Sequence, residues 1–364
     1  MSKAAELAAL ISSQTALSDR SMIINGAMQV AQRATSSTST GYCSLDRYKI
    51  EPLNMDQLAY TFAQDNTVPA GEGFSKSAKV SITTAESALA ADEIFRLLHR
   101  IEGQNMQRAS WGTSSAKPLT LSFFVRSNVT GTYAVEFRMN AGGSNSLSKN
   151  YTINSADTWE RKTITFPANT STNFTNANTE GCELGWYLAA GTNFSGGSLA
   201  SDYGANATNT RAAGQTANIT TSNSNTWYIT GIQLEVGEQA TPFEHRSFAD
   251  ECERCKRYYQ KSYVDGVAAG TVTQTGCNMN AVPTSGNTWR YTHDFYHQMR
   301  ATPTFTFYVP DTGTSGSGGF EGAGDTNKEA ISVAFSSNNS AVYFSTSMDQ
   351  TGFFMWHYEL NAEL

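Results

Sequence analysis

Apolar residues recur at two different spacings along this 364-residue chain. At the start, Ala4, Leu7, Ala8, Leu10, Ile11 and Leu17 fall on one stripe behind Ser2 as a candidate N-cap, which predicts a short helix over residues 2–17. So short a helix is marginal alone and needs a partner surface, so the stripe is assigned to assembly with other chains. From about residue 22 the period becomes two. Leu119, Leu121, Phe123 and Val125 alternate with Thr120, Ser122 and Arg126. Tyr133, Val135, Phe137 and Met139 repeat the pattern, as do Leu184, Trp186 and Leu188, and then Tyr228, Ile232, Leu234 and Val236. These are half-buried strands. Gly-, Asn- and Ser-rich loops such as Ala141–Asn150 and Gly191–Asn225 separate them, the pattern of an antiparallel sandwich.

Two segments break the alternation. Ala85–Asp92 is expected to form a short helix, followed by a strand through Glu93–Gly103. Between Phe248 and Gln260, the residues Phe248, Cys252, Cys255 and Tyr259 fall at i, i+4, i+7 and i+11, with Glu251, Glu253, Arg254 and Lys256 on the other side. That is an amphipathic helix, and it marks a domain boundary. Strand patterns resume at Phe305–Val309, Ile331–Phe335, Val342–Phe344 and Phe353–Tyr358, and the glycine-rich Gly313–Gly324 is expected to be a mobile loop. No repeat at a fixed period points to a propeller or solenoid.

Charge narrows the partners. With 25 Lys+Arg against 32 Asp+Glu the net charge is −7, and no basic cluster is present to neutralise phosphates, so neither nucleic acid nor an anionic membrane surface is expected as a partner. No run approaches the roughly 18 apolar residues that span a bilayer, so no membrane insertion is expected. The start MSKAAELAALISSQ lacks the features of a secretory signal, which predicts synthesis in a reducing cytosol. Five cysteines, an odd number, fit thiols better than a disulfide framework. Asn-x-Ser/Thr triplets such as Asn150-Tyr-Thr then follow from composition rather than glycosylation.

Sites of reaction chemistry are scarce. Cys252-Glu-Arg-Cys255 has no second pair to complete a zinc site, and its helical phase makes both cysteines core residues. His293 and His297 would chelate a metal from a helix, but the alternation around them predicts a strand, on which they stand roughly 13 Å apart. No catalytic carboxylate motif, nucleophile elbow or phosphate loop is present, and no catalytic residue, metal site or cofactor is assigned. Sugar binding needs instead an apolar wall and a few placed polar groups. Tyr187 faces opposite Leu184, Trp186 and Leu188 and is expected to point outward; Trp111 and Tyr203 lie in Gly/Ser loops. Arg100 and Glu102 fall on the outer face if Leu97 and Ile101 point in. These five are the candidate sugar ligands. The competing readings are a tryptophan folded back as a lid on the sandwich edge and a solvated ion pair at Arg100 and Glu102.

Several segments, taken in order, resemble one group of proteins. Met22–Arg33, Arg100–Gln104, Trp111–Phe123, Ile229–Gly237, Thr241–Phe248 and Cys255–Gln260 are similar to the tail fibres and related tail proteins of tailed bacteriophages, notably those of marine bacteria and cyanobacteria. The resemblance covers roughly residues 20–262; Lys3–Leu10 is also similar to fibre N-termini, and Met299–Thr304 and His357–Leu364 resemble the group more weakly. The Ile24-Asn-Gly26 opening and the Ile229–Leu234 closing strand also resemble the first and last strands of jelly-roll carbohydrate-binding modules, which commonly flank a structural calcium. Gln29 and Gln233 stand where acidic residues are often found, so no calcium is assigned.

The resemblance implies an all-β chain: a jelly-roll β-sandwich over residues 21–244, a connecting helix over 245–262, and a smaller β-sandwich domain over 263–364, distal and host-facing. Residues 1–20 would attach to tail or adaptor proteins and support a homotrimer. The expected role is a virion tail fibre, made in the host cytoplasm, that binds host-surface polysaccharide without cleaving it. A structural connector without receptor function and a capsule-degrading enzyme are the alternatives.

Overall fold

The alternation at Leu119–Val125 becomes a strand, β6 (Leu119–Ser127), with Leu119, Leu121, Phe123 and Val125 fully buried. The structure, a computed structural model, describes residues 19–139, 145–205, 207–284, 287–320, 328–337, 339–348 and 351–364. The helix expected over residues 2–17 lies outside the described residues.

Two six-stranded antiparallel sheets face each other. The first has the order β1 (Ser36–Ser37), β3 (Ala59–Asp65), β4 (Ser77–Thr84), β12 (Thr226–Val236), β6, β9 (Glu160–Phe166). The second has the order β11 (Gly204–Ala205), β8 (Asn145–Ile153), β7 (Gly131–Met139), β10 (Glu180–Ala190), β5 (Ile94–Glu102), β2 (Tyr48–Leu53). Most connections cross from one sheet to the other, the wiring of a jelly roll. Side chains of both inner faces fill the space between, among them Trp186, Trp227, Phe62, Phe95 and Phe123. The long strand β12 changes register between Thr230 and Gln233. There Gly231 has φ +63°, and a Cβ would stand 2.6 Å from the Phe74 ring, so only glycine serves.

The remaining strands form a third sheet around a separate core of Phe307, Phe344, Phe354, Trp356 and Tyr358. Its spine is β20 (Gly352–Asn361), which pairs with β13 (Tyr259–Lys261), β14 (Asn278–Val282), β16 (Thr304–Tyr308) and β17 (Ser317–Phe320). The sheet continues through β18 (Lys328–Ser337) and β19 (Ala341–Met348) to β15 (Asn287–Asp294). His293 lies on β15, as its alternation predicts.

Three local expectations are corrected. Ala85–Asp92 is not a helix: the backbone N–H groups of Ala85 and Glu86 tie the segment to Asn223 and Thr220, and the Ala90 N–H, which a helix would direct to residue 86, donates to the Glu93 side chain instead. The connecting helix, α1, spans only Phe248–Lys256, capped by Ser247, whose side chain accepts from the Asp250 N–H. Cys252 and Cys255 are buried against Val30 as expected, but Phe248 at the first turn is exposed and Tyr259 already belongs to β13. Finally, Ser317–Phe320 within the presumed mobile loop is the strand β17, where a Cβ on Gly318 would stand 2.2 Å from the Phe354 ring. The glycine permits close packing there rather than motion; residues 321–324 of that loop lie outside the described residues.

A polar junction ties the sandwich to the third sheet. The Glu363 carboxylate pairs with Arg33 at 3.3 Å and with Arg47. The two guanidiniums also stack on the rings of Tyr259 and Tyr258, at 3.7 and 3.4 Å. Arg300 donates to the Asn178 carbonyl at 2.8 Å.

Candidate functional site

The alternation that sends Val135, Phe137, Leu184 and Trp186 inward places a charged set on the outer face of the second sheet. In register across three strands, Arg138 on β7 stands opposite Glu183 on β10, which stands opposite Arg100 on β5. The Glu183 carboxylate bridges the two arginines: Oε1 takes Arg138 Nη2 at 3.0 Å and Oε2 takes Arg100 Nε at 2.8 Å. Four residues along, Arg96 lies opposite Tyr187 and Glu51, and pairs with Glu51 at 2.5 Å and Glu183 at 3.4 Å. Glu136 accepts from Arg211 at 2.9 Å and from the Tyr187 hydroxyl at 2.8 Å. Gly185 occupies the centre of this layer, between Leu98 and Glu136.

The electrostatics follow from burial and pairing. Glu183 and Glu136 are buried, whereas Arg138 and Arg100 keep 20% and 18% of their side-chain surface. The layer therefore hides its two central carboxylates, Glu183 and Glu136, while Arg100, Arg138, Glu51 and Glu180 stay partly open. Burial raises the Glu51 carboxyl, but Arg96 and Lys49 outweigh it and bring it down to about 2. Glu180 moves the other way: burial, reinforced by neighbouring Glu183, holds it up despite Arg100.

The sequence-read candidates divide into three places. Arg100 sits in the layer just described. Tyr187 has the expected parity but not the expected exposure; Phe194 and Ala212, from the segment after β10, cover its ring completely. That cover is invisible to strand parity. Trp111 and Tyr203 meet at one end of the sandwich, ring centroids 5.2 Å apart, and Trp111 also stacks on Phe174. Trp111 is 4% exposed and its Nε1–H donates to the Lys117 carbonyl at 2.6 Å, so it is the lid of the alternative reading. A cavity of about 220 Å³ beside it reaches Met106, Gln107 and Thr113.

Glu102 is not exposed beside Arg100, contrary to both readings of it. It is buried at the domain junction and accepts from Arg257 at 2.8 and 2.9 Å and from the Tyr258 hydroxyl. Burial would raise its carboxyl, yet these hydrogen bonds hold it below the ordinary value.

Arg96, Arg138, Glu136 and Glu183 were missed as candidates. Their signal was the polar half of the same alternation that revealed the strands. At the calcium-like position, Gln233 is spent within the protein: its Nε2 donates to Glu235 at 2.9 Å and its Oε1 accepts from the Glu244 N–H at 2.8 Å. No group of three or more His, Cys, Asp or Glu is placed to hold a metal among the described residues. No helix among them is long and apolar enough to cross a membrane.

No family model matches the chain, and no curated protein matches it. Among solved structures, the enzymatically active domain of bacteriophage CBA120 tailspike protein 4 overlaps at a TM-score of 0.30 and 12% identity, over 52% of this chain and 19% of that one. A family 11 carbohydrate-binding module of a Clostridium thermocellum cellulosomal cellulase overlaps at 0.29 and 9% identity, over 59% and 99%. A family 22 carbohydrate-binding module of a Clostridium thermocellum protein overlaps at 0.29 and 7% identity, over 54% and 89%. At these TM-scores none of the three bears on what this chain does; its jelly-roll sandwich is defined by its own strand order.

Proposed function

We propose that this chain is a non-catalytic structural protein of a tailed-phage virion, a tail fibre that attaches through residues 1–20 and holds host-surface polysaccharide on the outer face of the second sheet. The row Arg138–Glu183–Arg100 carries the binding half of this reading. Its arginines are oriented by a buried carboxylate, Arg100 further by the Leu364 carbonyl at 2.5 Å, and both side chains keep about a fifth of their surface open, so a ligand would meet groups already ordered. Sugar hydroxyls and ring oxygens are acceptors suited to them. The resemblance of residues 20–262 to phage tail proteins supports the virion half.

The same pairing supports binding without cleavage. Glycoside hydrolysis needs one carboxyl free to act as acid and another as base or nucleophile. Glu136 and Glu183 are each held by arginines. Individually weak sites would gain from presentation on a homotrimer through effective concentration.

The test is adsorption of the recombinant chain to host cells and to their extracted envelope polysaccharide. Binding that falls in the double variant R100A/R138A supports the proposal; absence of binding overturns it, and release of reducing ends overturns its non-catalytic part. Burial of Trp111 and Tyr187 favours a second reading, a structural connector. That reading expects the double variant to adsorb normally and particles to lose the protein when residues 1–20 are deleted.

A further inference from the structure

Between α1 and the third sheet lies a cavity of about 260 Å³, bordered by Lys256, Gln260, Lys261, Tyr263, Asp265 and Tyr296. Two of its residues are out of place for a purely structural role. Lys261 on β13 is only 8% exposed, and its ammonium donates one hydrogen bond, to the Val267 carbonyl, with no ion pair among the described residues. An ammonium carries three donors, and a buried cation that the carboxylates of Asp265 and Asp46 attract without forming an ion pair is poorly compensated. Burial lowers the Lys261 ammonium to about 8, and the pull of Asp265 does not restore it. The group nevertheless remains mainly charged at neutral pH. The second is Tyr296, 75% exposed, which gives the cavity a flat apolar wall ending in a hydroxyl.

We propose that this cavity binds one carboxylated sugar ring, a uronic acid, with its carboxylate against Lys261 and Lys256 and its C–H face on Tyr296. The ligand supplies the anion that Lys261 lacks. Asp265, exposed at the rim, accepts from the ring hydroxyls. The volume lies just below the roughly 300 Å³ where small-molecule sites begin, which suits one ring rather than a chain. Selectivity follows from the charge: a neutral hexose of the same shape leaves the buried ammonium unpaired, so it is rejected. The site goes beyond the reading of the sandwich face and stands even if the row Arg138–Glu183–Arg100 binds nothing.

Titration calorimetry and saturation-transfer NMR on the full chain, with sodium glucuronate and glucose at matched ionic strength, test it. Glucuronate is expected to bind at least tenfold more tightly than glucose. K261M removes that preference and Y296A weakens glucuronate severalfold, while R100A/R138A leaves the preference for glucuronate over glucose in place. Should K261M melt early, K256M and Y296A, on more exposed side chains, decide the question. Equal affinity of the parent for the two sugars, no binding of glucuronate, or unchanged affinity in folded K261M, K256M and Y296A overturns the proposal.

Discussion

The Glu102 carboxylate receives the Arg257 guanidinium at two points, 2.8 and 2.9 Å, across the boundary between the sandwich and the third sheet. A residue that strand parity marks as a surface ligand is thus a fastening between two folding units. E102A leaves Arg257 and the Tyr258 hydroxyl without their shared acceptor, and should lower stability by about 2–4 kcal/mol. Denaturant unfolding measures this, and a loss within error of zero would remove the fastening role.

Trp111 should behave as core. W111A deletes a ring packed on Phe174, Phe137 and Tyr203, so a loss of about 3–5 kcal/mol is expected, with W111F far milder. Any fraction that stays folded should bind host polysaccharide as the parent does. Selective loss of binding with an unchanged melting curve would restore Trp111 as a ligand.

Arg100 and Arg138 should behave in the opposite way. Each replacement by Ala removes one of several arginine partners of buried Glu183 and should cost about 1–3 kcal/mol of stability, while weakening polysaccharide binding about tenfold in the fraction that stays folded. Adsorption isotherms beside melting curves separate the two effects.

Lys261 makes stability depend on alkaline pH in a direction that can be worked out. Its folded-state value is about 8, below the ordinary 10.5, so between these values the unfolded chain holds a proton that the folded chain has released. The folded state is therefore favoured as pH rises through that window, by up to about 3 kcal/mol, and the gain is lost as pH falls back through 8. Stability of the parent relative to K261M should rise between pH 8 and 10.5 and be flat below about 7.

All five cysteines are thiols, and they should react in order of burial. Cys43 and Cys277 are partly accessible, whereas Cys182 and Cys255 are fully enclosed, with thiols pushed up by burial. A thiol reagent should label the first two in the native protein and the last two only on unfolding.

Much of this fold was legible because its long central strands bury one face and wet the other. Leu119–Val125 and Leu184–Leu188 declare their orientation by alternation alone, and Cys252 and Cys255 by helical phase. Phe248 misled because it stands at a helix end, where phase no longer decides burial. Ala85–Asp92 misled because its backbone partners, Asn223 and Thr220, are distant in sequence. The site was only half legible for a related reason. Parity placed Arg100 and Tyr187 on one face, but nothing local shows that Phe194 folds over Tyr187 or that Arg257 reaches Glu102 from 155 residues away. Burial by a distant segment is a property of the tertiary fold, not of the strand.

The placement of β20 has a consequence for how the polypeptide matures. Strands β13, β14, β16 and β17 all pair with residues 352–361, which leave the ribosome after every strand they join. The sandwich can close during synthesis, while the third sheet must wait with its partners unpaired until that last strand arrives. A frameshift or stop before residue 352 would therefore leave four strands without a centre and Arg33 and Arg47 without Glu363. Such a truncated chain is expected to be aggregation-prone rather than merely shorter.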